Sequence, residues 1–473
     1  MNCLGSYSTF PGKKSGTTVS IVKTCGVKAD KTLMHAFQFG RLGNTVAQIA
    51  EKFAAALSHH RAGRLAEAES LYRQICAVDP NHVGSLHFLG VLAGQVGRND
   101  IAIDLIGRAV TLRPDYAEAH CNLGRAFTMQ GKLSEAMPHY ERAISLKPNY
   151  AEAHIGLGNI LREQGRLGEA IASYERTLAL KPDYAEAHYN LGSVLSDQRK
   201  LTAALAHFER ALTLKPAHAE AWLCRGRTLQ RLNRPEEAII AFRQAFVKGG
   251  DAEVIQFYLA SLDAEAAPVA APRRLVTKAF NQCADQYDQE VLGTLKCKTP
   301  DLLFDAMAPF LPSRNLDVVD LGCGTGLFGA RLRPLARTLT GVDFSSKMLE
   351  IARQRQVYDH LVCSELIEFL QTRAKNCDLA VAADVFVYLG DLRGVFERVR
   401  GALRDGGLFA FSVEISEEQD FVLGATLKYA HSAAYLRRLA KDHGFVLEAI
   451  ESKVIRQENG IDVVGYLPVL RCC

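Results

Sequence analysis

Between residues 49 and 252 apolar and polar positions alternate with helical spacing, and the whole pattern returns every 34 residues. Alanine stands at 68, 102, 136, 170, 204 and 238, glycine at 90, 124, 158, 192 and 226, and proline at 80, 114, 148, 182 and 216. Composition alone does not place residues in register; an internal repeat does. Each unit reads as two short amphipathic helices, such as Ala117-Glu-Ala-His-Cys-Asn-Leu-Gly124 followed by the stretch Leu133 to Ala143. The small residues let neighbouring backbones approach, and Tyr72, Tyr140, Tyr174 and Phe208 are expected to fill the space between hairpins. Proline ends each second helix, because it lacks the N–H that a helix interior needs.

These positions resemble the tetratricopeptide repeat, and six copies fit residues 49–252, with a capping helix expected over 253–263. In the last copy Gly250 replaces the proline and Arg225 the leucine, which suits a terminal repeat. By that likeness the array forms a groove for a protein or peptide ligand; a spacer or dimerisation arm is the alternative. Asn122 and Asn190 fit a peptide-holding asparagine ladder, but Gly156 interrupts it. His120, His154 and His188 share one repeat position, with Trp222 in the last copy. Equivalent helices lie too far apart for these histidines to share a metal, so they are read as packing residues and no metal site is expected.

Residues 264–274, with two prolines among alanines, read as a linker. Beyond it strands alternate with helices, which predicts a mainly parallel, doubly wound α/β sheet over residues 275–473. Strands are expected at Leu316–Leu321, Thr338–Asp343, Val362–Cys363, Asp378–Ala383, Gly407–Val413, Phe445–Ile450 and Asp462–Leu470. The first runs into Asp320-Leu-Gly322-Cys-Gly324-Thr-Gly326. Gly322 permits a tight turn, and Gly324 lets a ligand touch the backbone. Asp343, at the end of the second strand, can accept both hydroxyls of a ribose. The pair points to an adenosine-containing ligand. A dinucleotide fingerprint would need glycine where Leu327 stands, and no Gly-Lys-Ser/Thr follows. Asp320 would repel a pyrophosphate but suits a cationic amine or sulfonium, which favours S-adenosylmethionine over NAD.

Residues 275–473 resemble a class I S-adenosylmethionine-dependent methyltransferase, and more narrowly the predicted methyltransferases with tetratricopeptide repeats at their amino end. The loop Asp320–Gly326 and the stretch Gly341-Val-Asp343-Phe-Ser-Ser-Lys-Met348 carry the likeness. It implies that Asp343 holds the ribose, with Phe344 and Met348 against the adenine and Glu365 and Leu366 at the adenine edge. It further implies that Asp384 approaches the methionine part of the cofactor and that Tyr287 covers it.

An amine or hydroxyl acceptor also needs a base within hydrogen-bond reach. Candidates on the acceptor side are Tyr388, Tyr429, His431 and Tyr435, of which only His431 has an unperturbed pKa near neutrality; a capping or solvent-facing histidine is the alternative. Asp384-Val-Phe-Val-Tyr388 lacks the Pro-Pro-aromatic clamp of adenine or glutamine amino-group methylation, and no Pro-Cys nucleophile marks cytosine chemistry. The family likeness points instead to small-molecule acceptors, including carrier-bound acids. A cofactor-binding scaffold without turnover is the second reading.

Composition narrows this further. Lys+Arg total 56 against 52 Asp+Glu, so the net charge of +4 gives no extended nucleic-acid footprint. No apolar run is long enough to span a bilayer. The 12 cysteines include no Cys-x-x-Cys pair, which disfavours a zinc ribbon and suits free thiols in a reducing cytoplasm. Residues 1–48 read as a polar arm without a signal peptide, Met34 offers an alternative start, and the terminal Cys472-Cys473 lacks the prenylation box.

Overall fold

The computed structural model describes residues 31–473 apart from 264, 312–314, 418 and 459, and of residues 31–45 the backbone alone. It divides into two compact units, one ending at Pro182 and the other running from Asp183 to Cys473.

The first unit is helical: Lys31–Arg61, Leu65–Val78, Val83–Gln95, Asn99–Leu112, Ala117–Met129, Leu133–Leu146, Ala151–Glu163 and Leu167–Leu180. The polar arm expected to reach residue 48 is therefore helical from Lys31, and its remainder lies outside the described residues. Each second helix stops two residues short of its proline, as at Leu146 and Pro148, because the residue before proline is driven out of the helical region. A β-carbon added at Gly124 would lie 3.1 Å from Tyr140, and one at Gly158 would lie 2.7 Å from Tyr174. Both rings are buried. The glycine thus vacates the space that the ring of the partner helix occupies, which couples the two sequence positions.

The histidines do more than pack. His120 Nε2 donates to the Pro114 carbonyl at 3.1 Å and His154 Nε2 to that of Pro148 at 2.9 Å. Each therefore satisfies the proline carbonyl in the turn that follows a helix. Asn122, expected to face a peptide, has its amide 2.8 Å from His87 Nε2.

The second unit opens with four helices, Ala185–Asp197, Leu201–Leu214, Ala219–Arg231 and Pro235–Val247, and a capping helix Ala252–Ala260. Here Trp222 Nε1 donates to the Pro216 carbonyl at 3.0 Å. An indole can only donate, so this repeat position requires a donor, which explains why His and Trp exchange there.

A ten-stranded sheet follows: β1 Leu316–Leu321, β2 Ala336–Asp343, β3 His360–Cys363, β4 Cys377–Ala382, β5 Leu403–Phe411, β6 Val413–Ile415, β7 Phe421–Leu423, β8 Tyr429–His431, β9 Phe445–Glu458 and β10 Ile461–Cys472. The order is β3-β2-β1-β4-β5-β10-β6-β8-β7, with β9 beside β10. The first five strands pair in parallel, and β10 runs antiparallel to β5, β6 and β9. One core, including Phe386, Phe396, Phe409 and Phe411, covers one face; Leu303, Leu339, Leu379 and Leu467 belong to the other. This is the tetratricopeptide solenoid followed by a Rossmann-like α/β fold. Three departures concern the site. β9 and β10 extend beyond their expected lengths, β7 and β8 were not legible as strands, and only the short helix Gly329–Leu332 follows the glycine loop.

The expected linker is tied down as well. Gly390 N donates to the Val269 carbonyl at 2.8 Å, Ala271 N to that of Tyr388 at 2.9 Å, and Tyr429 Oη to that of Pro268 at 2.8 Å. Phe257 and Ala260 of the capping helix share an apolar cluster with Leu423 and Tyr429.

Candidate active site

The carboxyl ends of the parallel strands meet where the strand order reverses, between β1 and β4, and this is where such sheets bind ligands. The loop leaving β1 takes positive φ at Gly322, Gly324 and Gly326. At Gly322 a β-carbon would strike Val385 at 2.5 Å, whereas at Gly324 it would meet nothing within 4 Å. The open side of the loop is thus at Gly324, where bare backbone faces the cleft.

Asp343, at the end of β2, accepts from Gly324 N at 3.0 Å and from Ser345 N at 2.8 Å. Its carboxylate is thereby fixed beside the glycine turn, and burial raises its pKa. Ser345 caps the next helix by accepting from Met348 N at 3.2 Å. Phe344 is half-buried and edge-on to Phe280, with centroids 6.3 Å apart, while Met348 is sealed in the core. Glu365 caps its helix by accepting from Glu368 N at 3.1 Å, and Leu366 is buried behind it.

Asp320 lies beneath the loop, 1% exposed, accepting from Tyr358 Oη at 2.6 Å. Burial, and then the nearby Asp343, push its pKa up to about 7 despite that hydrogen bond. The charge expected at this turn therefore depends on what lies above it.

On the acceptor side Asp384 has φ +57, and its N–H donates to Ser412 Oγ at 2.8 Å. Its two oxygens accept from Arg456 Nη1 at 3.3 Å and from Cys297 Sγ at 3.1 Å. Tyr388 and Tyr287 both pack on Phe280, with centroids 5.5 and 6.0 Å away. His431 and Tyr429 belong instead to β8. His431 is fully buried, its Nε2 donates to the Gly390 carbonyl at 3.0 Å, and burial lowers its pKa to about 4. Tyr429 is buried against Phe257, and Tyr435 Oη accepts from Leu392 N at 2.9 Å.

Several residues with no sequence signature hold the site together. Asp288 accepts from Thr325 Oγ1 at 2.5 Å and pairs with Arg355, whose Nε donates to the Thr325 carbonyl at 2.6 Å. This clamps the segment carrying Tyr287 onto the glycine loop. Among the described residues no group of three or more His, Cys, Asp or Glu could hold a metal, and no helix is long and apolar enough to cross a membrane.

A methyltransferase-domain family matches residues 319–409, and tetratricopeptide-repeat families match 52–74, 124–161, 158–199 and 189–252. The chain is 29% identical to a malonyl-[acyl-carrier protein] O-methyltransferase of Salmonella typhimurium over 36% of its own length and 67% of the relative's. It is 28% identical to a probable S-adenosylmethionine-dependent methyltransferase of Saccharomyces cerevisiae, covering 36% and 63%, and 26% identical to a ubiquinone biosynthesis O-methyltransferase of Hydrogenovibrio crunogenus, covering 28% and 57%. The chain thus spans 67% or less of the length of these relatives. Among solved structures MamA is 25% identical over 34% of this chain and 94% of its own, with a TM-score of 0.32. Taken with the glycine turn and the acidic end of β2, these matches make the chain one that joins tetratricopeptide repeats to a domain similar to S-adenosylmethionine-dependent methyltransferases.

Proposed function

We propose that the second unit transfers a methyl group from S-adenosylmethionine to a small-molecule or carrier-bound acceptor, and that the repeats bind a protein partner. One observation carries the cofactor reading. The open backbone at Gly324 and the carboxylate of Asp343 are bonded to each other at 3.0 Å, so a backbone cradle and a hydroxyl acceptor stand side by side. In this reading Asp343 takes the ribose hydroxyls, Phe344 lies along the adenine, and Tyr287 covers the nucleoside. Leu366 and Met348 back the adenine side, with Glu365 at its edge. Asp320 and Asp384 face the methionine part. When bound, the cofactor supplies an electrophilic methyl group on a cationic sulfur. The protein's share is to hold the acceptor in line with it and to exclude water.

The acceptor wall consists of Tyr388, Tyr287 and the carboxylates around Arg456. His431 and Tyr429 are left outside the chemistry, since His431 Nε2 and Tyr429 Oη are both spent on backbone carbonyls in the packing of β8 and His431 Nδ1 is sealed away from the cleft. The relatives named as malonyl-[acyl-carrier protein] O-methyltransferases support a carrier-bound substrate as the first class to try. For the repeats, a cleft of about 260 Å³ in the first unit, lined by Gln95, Asn99, Asn122, Arg125 and Met129 among others, supports the partner reading.

The test is to incubate the chain with methyl-labelled S-adenosylmethionine and a host extract. Label in a protein or small-molecule fraction is expected. Binding of the cofactor with no transfer into any fraction would leave a cofactor-binding scaffold.

A further inference from the structure

Five charged side chains converge on the acceptor side of the proposed methyl-transfer site. Arg456 sits at the centre: Nη1 bonds Asp384 at 3.3 Å, Nε bonds Glu458 at 2.8 Å, and Nη2 bonds Glu414. Glu458 also pairs with Lys428. Three carboxylates therefore face two cations, and each cation is already paired. Exposure decides which groups an acceptor meets. The Arg456 side chain is 4% exposed, whereas Asp384 is 22% and Glu414 18% exposed; Lys428 is 20% exposed but held by Glu458. The guanidinium is sealed behind the carboxylates. The phenols of Tyr287 and Tyr388 stand near Asp384 and add no positive charge.

The chain is built to hold this arrangement. Lys298 N donates to the Ile455 carbonyl at 2.8 Å and Gln457 N to that of Leu295 at 2.7 Å, so the end of β9 is stitched to the segment bearing Cys297. Asp384 follows β4 and Glu414 lies in β6, and binding to adjoining nitrogens of one guanidinium fixes the two carboxylates side by side. This explains why β9 and β10 run past their expected lengths: the extension carries Arg456 and Glu458 to the cleft.

Resting on the methyltransferase reading, we infer that the acceptor presents a hydroxyl or amine rather than a free carboxylate, and that Glu414 takes its proton. A carboxylate acceptor would enter a site that already holds one more anion than cations, with no unpaired cation in this cluster to receive it. A hydroxyl or amine finds instead a carboxylate held in place by Arg456. In the step the acceptor's lone pair forms the new bond to the methyl carbon. The methyl–sulfur pair stays on sulfur, which becomes a neutral thioether, and the acceptor's proton passes to Glu414. Burial raises the pKa of Glu414 above the ordinary carboxylate range, with Arg456 and Lys428 opposing and Glu458 assisting, which makes it a better base than an exposed glutamate.

The experiment uses the full chain and three thioesters of N-acetylcysteamine that differ only at the accepting end: malonyl (carboxylate), 3-hydroxypropionyl (hydroxyl) and β-alanyl (amine). Calorimetry with S-adenosylhomocysteine comes first, and failure to saturate overturns the methyltransferase reading and this inference together. Once that binding is established, methyl from labelled S-adenosylmethionine is expected on the hydroxyl or amine probe at least about tenfold faster than on malonyl. Glu414→Gln is expected to lower that transfer about 100-fold, to leave S-adenosylhomocysteine affinity within about twofold, and to tighten calorimetric binding of the malonyl probe about tenfold. Glu414→Asp keeps the carboxylate and should retain part of the rate, while thermal melts confirm that both variants fold. Transfer to malonyl at an equal or greater rate, or to none of the probes, overturns the inference and leaves the cofactor site standing.

Discussion

Asp320 ends β1 with its carboxylate almost wholly buried, held by Tyr358 and close to Asp343. Because its folded pKa is raised to about 7, its contribution to stability is complete below the unfolded value and is lost as pH rises through about 7. The ligand-free chain should therefore lose stability, on the order of a few kcal/mol, between about pH 4 and about pH 7. Asp320→Asn should flatten that part of the melting profile. A cationic ligand has the opposite effect, since it favours the ionised carboxylate, so S-adenosylmethionine affinity should rise over the same interval in the wild type and not in the variant. Parallel profiles for the two proteins would refute this role.

His431 shows the reverse sign. Its pKa is lowered to about 4 by burial, so its stabilising share is present above about 6.5 and is lost as pH falls toward about 4. His431→Asn should be less stable at neutral pH yet lose less on acidification, as followed by circular dichroism. At this scale the sequence shows which residue types gather at the site, but not which are sealed. Asp320, Asp343 and the glycines announce themselves through spacing along one strand and loop. Burial of His431 depends on β8 pairing with β6 and β7, contacts that no local pattern encodes.

Elements carry the next set of constraints. In the repeats, the ring of Tyr174 occupies the space a side chain at Gly158 would need. Gly158→Val should cost about 1–3 kcal/mol in urea denaturation, as overpacking does. Combining it with Tyr174→Leu should recover part of that loss, and full additivity of the two changes would speak against the coupling. In the second unit the strap at 268–271 is held by Tyr429 Oη on the Pro268 carbonyl. Tyr429→Phe should cost about 1 kcal/mol, measured by the same method. The 34-residue period makes the helices and their prolines readable without coordinates, because each repeat buries its face against the next in the same way. The strap escapes such a reading. Prolines among alanines mark a connection, but only the folded loop after β4 offers the N–H and carbonyl groups that capture it.

At the scale of the whole second unit, repeats and sheet share structure. Phe257 and Ala260 of the capping helix close over Leu423 and Tyr429, and Gln230 reaches the Ala425 carbonyl at 3.2 Å. A chain beginning at residue 275 removes that cover and the strap, so it should melt lower and bind hydrophobic dye more strongly than one beginning at 183. Equal stability of the two would show that the shared cluster contributes nothing. The order of domains follows from the change of period, from paired helices to strand and helix, whereas their joint core rests on side chains far apart in sequence. The proposed methyl transfer rests above all on the turn at Gly324, fixed by Asp343, serving as a cradle for a sulfonium nucleoside. Isothermal titration of the full chain with S-adenosylmethionine, its demethylated product and NADH decides it. Saturable heat with the first two, abolished by Asp343→Ala, is the predicted result. Saturation by NADH alone, or binding that survives the Asp343→Ala change unaltered, would contradict it.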